Sequence, residues 1–111
     1  MTATPKERVY ICSPYSGNTQ SNTTKARLYC RLAYDQGFVP IAPHLFYPQF
    51  LDDTVKAERA VGLQLALESL TQAKELWVFG IKISRGMEGE ICRAKELGIP
   101  IRNFTSDGYE M

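Results

Sequence analysis

Four short β-rich runs alternate with three helical ones along this chain, and that alternation restricts the fold more than any other feature. RVYIC (Arg8 to Cys12), FVPIA (Phe38 to Ala42), ELWVF (Glu75 to Phe79) and the run Ile99 to Phe104 read as strands. Helices are predicted over about Asn22 to Gln36, with Ala26, Tyr29, Cys30 and Ala33 at helical spacing, over about Thr54 to Ala73, and over about Gly86 to Leu97. Gly37 and Gly98 stand where helix-ending glycines belong. Pro40 weakens the second strand, since proline cannot donate to a ladder. The middle helix has Leu63, Ala66, Leu67, Leu70 and Ala73 as its expected core stripe, with Asp52 or Asp53 as its cap. The tail TSDGYEM is expected to be loose.

Strands that alternate with helices imply a parallel sheet covered on both faces. With right-handed crossovers the expected fold is α/β, a doubly wound, Rossmann-like or flavodoxin-like four-stranded sheet in the order 2-1-3-4. The 111 residues suit one domain, 1–111, with a core of about 8–104. In such sheets ligands bind beyond the carboxyl ends of the strands. Three segments should therefore meet at one cleft: SPYSG after the first strand, PHLFYPQFLDD after the second and IKISRGMEGE after the third.

Composition narrows the function classes. A formal charge of +1 gives no electrostatic footprint for a nucleic-acid polymer or an acidic membrane. No apolar run approaches the roughly 20 residues that cross a bilayer. Residues 1–7 do not read as a signal peptide. The three cysteines are far apart, with no CxxC or Cys/His cluster, so neither zinc nor a disulfide framework is indicated, and reduced thiols in a cytoplasm are expected. Neither the dinucleotide nor the P-loop fingerprint occurs, and no cofactor or metal is implied.

The third helix opens on SRGMEGE, which offers two glutamates. At about 100° per residue, with Met87 at zero, Ile91, Gly98, Ala94 and Leu97 define the inward arc. Glu90 falls at about −60°, inside that arc, and Glu88 at about +100°, outside it. Glu88 reads as a solvated acid that serves the helix dipole. Glu90 is expected in the first turn, facing the cleft, where an inward carboxylate loses solvation unless it is paired. It is the candidate catalytic group. Ser13, Tyr15, Ser16 and Gly17 form a polar loop that could hold a phosphate or sugar, or simply turn the chain. Ser84 could cap the third helix. His44, the single histidine, could donate a proton or bind a ligand, or be structural. Tyr47, Phe46 and Phe50 could stack on a flat base or fill space. Asp52 and Asp53 could reach the cleft as well as cap.

Taken together, VYICSPYSG, NTTKARLYCR, PIAPHLFYPQFLDD, ELWVFG and ISRGMEGEICRAKELGIPI resemble the nucleoside 2-deoxyribosyltransferase superfamily over about residues 8–104, and most of all its small members of unknown function. The spacing Gly86-x-x-x-Glu90-x-x-x-Ala94 is the most specific part. The resemblance implies Glu90 as nucleophile, Ser84 at a 5′-phosphate, Gly86 as a substrate-binding residue, and the SPYSG loop around the sugar and phosphate. It implies a nucleoside or nucleotide as partner, N-glycosidic transfer or hydrolysis, and a homodimer or higher homo-oligomer. Those enzymes usually carry an aspartate on the helix before the third strand, and a gapless register puts Ala66 there. Asp52, Asp53, Glu58 and His44 are the candidate replacements. A non-catalytic nucleotide-binding sensor on the same fold is the alternative.

Overall fold

A computed structural model describes residues 6–15 and 17–111. The elements run β1 (Arg8–Cys12), α1 (Thr19–Asp35), β2 (Val39–Ile41), a one-turn α2 (Pro43–Phe46), a 3-10 turn (Tyr47–Gln49), α3 (Lys56–Leu70), β3 (Glu75–Phe79), α4 (Arg85–Leu97) and β4 (Ile101–Phe104). The four strands pair in parallel, in the predicted order β2-β1-β3-β4. Cys12 lies opposite Val78, and Phe79 opposite Phe104.

Strand side chains alternate between faces, and the two cores follow from that period. Val9, Ile11, Trp77, Phe79 and Phe104 pack with Tyr29 and Ala33 of α1. Tyr10, Cys12, Leu76 and Val78 pack with Leu70, Met87 and Ala94 of α3 and α4. Each large side chain buried this way contributes roughly 1.5–3 kcal/mol. On the first face Tyr29, Phe79 and Phe104 form a continuous ring stack, with centroid spacings of 3.9 and 4.8 Å.

Several boundaries differ from the sequence reading, each for a local reason. Helix α1 starts earlier because Asn18 caps it, its side chain accepting from the Ser21 N–H at 3.1 Å. Strand β2 is three residues long, because Phe38 donates its N–H to Ala33 of the preceding helix and Ala42 already stands at the start of α2. The PHLFYPQFLDD segment, expected as loop, winds into α2 and the 3-10 turn. Neither Asp52 nor Asp53 caps α3; Val55 stands at that position, with no side-chain cap bond. Asp52 instead accepts from the N–H and hydroxyl of Thr54 at 2.9 and 2.6 Å, closing a turn. Leu63 and Leu67 are not core: Leu63 is 55% exposed. The fully buried residue of α3 is Leu70, with Gly62, Leu65, Ala66 and Ser69 half-buried on the same side.

The tail is ordered, contrary to expectation. β4 is an edge strand, and an edge offers unpaired backbone groups. Thr105 donates to the Tyr109 carbonyl at 2.7 Å and Met111 to the Asn103 carbonyl at 2.9 Å, so residues 105–111 fold back along that edge. Arg102 completes the closure. Its guanidinium lies 4.7 Å over the Trp77 ring and bonds both carboxylate oxygens of Glu110, at 2.9 and 2.7 Å. Arg102→Ala should lower stability by about 1 kcal/mol, seen as a lower urea midpoint. Arg102→Lys should recover under half of the loss, since an ammonium cannot stack or bond bidentately.

Candidate active site

The sheet brings the carboxyl ends of β1 and β3 beside the start of α4. Ser84 caps that helix, its Oγ accepting from the Met87 N–H at 3.3 Å, while its carbonyl accepts from Glu88 at 2.9 Å. Glu88 is the first-turn acid and is exposed, as the helical wheel predicts. Glu90 turns inward and is half-buried, also as predicted, but it sits in the second turn and not the first.

Its surroundings come from β1. The Cys12 thiol lies 3.7 Å from Glu90 Oε1. The Tyr10 hydroxyl is close enough to favour the charged carboxylate, yet it is buried and reaches no partner at full hydrogen-bond geometry. Burial pushes the Glu90 carboxyl up to about 7, against the smaller opposing pull of Tyr10 and Cys12. A helix N-terminus by itself favours the ionised carboxylate. The dipole effect fades within the first turn, so one turn further in the loss of water decides.

Across the cleft, Ser13 Oγ and His44 Nε2 are 3.2 Å apart. Burial lowers the His44 imidazole to about 4, so at neutral pH it is an uncharged hydrogen-bonding group. The Tyr15 ring stands 6.0 Å from His44. Tyr47 bonds Ser69 of α3 at 3.2 Å, and its ring joins Phe46 and Phe50 in an edge-on aromatic cluster. Gly17 makes its turn at a φ of 95°, just before the α1 cap. A Cβ at Gly86 would meet open space. Ser16 lies outside the described residues.

Asp52 and Asp53 are not brought to Glu90. They line a separate hollow of about 400 Å³ with Tyr15, Phe50 and Glu58. Both are exposed; Asp53 is a loose 3.9 Å partner of Arg59, and Glu58 accepts from the Asp52 N–H at 3.1 Å. A larger hollow of about 480 Å³ lies over α1, between the ends of β1, β3 and β4, with Lys25 and Lys82 among its walls. Glu90 lines neither. Glu90 is singled out by its carboxyl partners and not by either hollow. Among the described residues no group of three or more His, Cys, Asp or Glu side chains could hold a metal ion. None of the helices among the described residues is long and apolar enough to cross a membrane. The residues that sequence reasoning missed are Tyr10 and Cys12. The two-residue period of VYIC, laid beside the inward arc of α4, carried that signal.

A model of the family described as Domain of unknown function (DUF7768) matches residues 7–104. The chain belongs to this family. Its fold is that of the 2-deoxyribosyltransferases. Against the enzyme of the psychrotolerant bacterium Bacillus psychrosaccharolyticus the TM-score is 0.68 at 20% identity, over 88% of this chain and 72% of that one. Against the 2-desoxiribosyltransferase from Leishmania mexicana it is 0.65 at 13% identity, over 89% of this chain and 64% of that one. This DUF7768 chain thus spans slightly under two thirds of the second relative. No curated protein matches it.

The two buried groups leave a thermodynamic signature. Glu90 binds its proton more tightly folded than unfolded, so its contribution is greatest below about 4.5 and is lost as pH rises through about 7. His44 works the other way: its contribution is present above 6.5 and is lost as pH falls through about 4. Glu90→Gln should therefore melt about 5 °C or more above the parent at pH 8 and show little gain at pH 4.5. An equal gain at both pH values would contradict the buried, proton-retaining carboxyl.

Proposed function

We propose that this chain acts on the N-glycosidic bond of a nucleoside or nucleotide, as a deoxyribosyltransferase or a hydrolase. The carboxylate of Glu90 attacks C1′ of a deoxyribose, the base leaves, and a glycosyl ester forms that a second base or water resolves. The supporting observation is the half-buried Glu90 carboxyl, met by Tyr10 and Cys12 at the strand-end cleft of a deoxyribosyltransferase fold. In this reading Ser13, Tyr15 and Gly17, after β1, cradle the sugar. Tyr47 and its aromatic neighbours take the base, and Ser84 and Gly86 flank a 5′ substituent.

Glu90→Gln should reduce base release from deoxynucleosides and their 5′-monophosphates by ~1,000-fold or more, measured by chromatography. Because the attacking form is ionised, kcat/KM should rise with pH through a midpoint of about 7. Unchanged release in the variant removes Glu90 from the role of nucleophile.

A second reading, a nucleotide-binding sensor without turnover, has one observation in its favour. Among the described residues no other carboxyl is hydrogen-bonded to Glu90, and half-buried Ala66 stands on α3 where a gapless register places the expected aspartate. Binding in calorimetry without turnover would select it.

The proposal includes a homodimer or a higher homo-oligomer. Val61, Leu63 and Leu67 are exposed on α3, and Phe46 and Phe50 are exposed in the segment before it. Burying such a surface in a second copy removes apolar area from water. Light scattering at micromolar concentration should give at least twice the chain mass, and a monomer would contradict it.

A further inference from the structure

The two β1 side chains next to Glu90 play different parts. The Tyr10 hydroxyl is buried and reaches no partner at full geometry. The Cys12 thiol is fully buried, 3.7 Å from Glu90 Oε1 and 3.8 Å from the Met87 carbonyl. Cys12 makes a full-geometry hydrogen bond to this carboxyl, beside the Tyr10 hydroxyl that also favours its charged form. Its two acceptors both belong to α4, three residues apart, so the thiol is directed at the inner face of that helix from the strand below.

We propose that Cys12 is a positioning residue that holds the Glu90 carboxylate against β1 and sets what fraction of it is ionised. The inference deepens the proposed function, since it concerns the same carboxyl, but it can be read without turnover. Burial, and then the charge of Glu90, push the Cys12 thiol far up, so it stays protonated and acts as a donor. A thiol is a weak donor. It fixes the carboxylate in place while withdrawing little of the electron density that attack at C1′ needs. A hydroxyl at the same place would stabilise the charge more, and a methyl not at all.

The other titratable groups nearby are few. On β1 there is Tyr10; from the segment after β2 come Tyr47, which bears on Tyr10, and His44, which is held by Ser13. On α4 itself Glu88 is exposed, and on α3 Glu58 is turned to the Asp52 backbone.

The test is a carbon NMR titration of the Glu90 side-chain carboxyl, assigned by its loss in Glu90→Gln, in the parent and in Cys12→Ala and Cys12→Ser. Removing the donor should raise the midpoint by about half a pH unit, a ~3-fold change in the ionised ratio, and the serine should lower it. A purely space-filling Cys12 predicts no movement in either variant, and that result overturns the proposal. If Cys12→Ala fails to fold, the nearly isosteric Cys12→Ser decides alone: a lowered midpoint supports the proposal, and an unmoved or raised one refutes it. A protein with no turnover whose midpoints move as stated keeps this inference and loses the enzyme reading; turnover with unmoved midpoints does the reverse.

Discussion

Strand β1 is the constraint on which the remainder rests. From Val9 to Cys12 it is inaccessible to water on both faces, between β2 and β3. A strand buried on both sides cannot slip by one residue without sending each side chain into the opposite core. Its register therefore fixes which residues meet α1 and which meet α3 and α4. The same register presents Tyr10 and Cys12, and no others from β1, to the inner side of α4.

The central feature of the cleft is a contest between solvation and charge. A helix start favours an acid, and Glu88 takes that position in water. One residue pair further along, Glu90 has left both the dipole and the solvent behind. What supports its charge is a thiol and a phenol, which together offset only part of the burial. His44, held by Ser13, is shifted in the opposite sense by the same cause. Between about pH 4.5 and 6.5 the folded cleft thus holds both groups uncharged where the unfolded chain would carry one charge of each sign. A buried carboxyl of this kind costs stability and is poised to ionise near neutrality, a combination that suits a nucleophile better than a scaffold.

Much of the architecture was legible in the chain. The extents of β1 and β3, the strand order and the separation of Glu88 from Glu90 follow from period and handedness alone. The failures have physical sources. Leu63 and Leu67 looked like core because a stripe shows which residues share a side, whereas α3 buries Leu70 and, in part, Leu65, Ala66 and Ser69. The aromatic segment after β2 folded into helical turns through Pro43 and Pro48, each at the start of its turn, a position open to proline. The tail gained order from an edge strand and from Arg102, partners that are distant in sequence. The ionisation of Glu90 depended on how deep the second turn of α4 sits, which a wheel does not report.

The central claim is that Glu90 forms a bond to the sugar. Incubation with a deoxynucleoside, rapid acid quenching and peptide mapping by mass spectrometry test it most directly. The account predicts one added deoxyribosyl group on the peptide carrying Glu90, absent in Glu90→Gln. Base release with the sugar adduct on any other residue would contradict it.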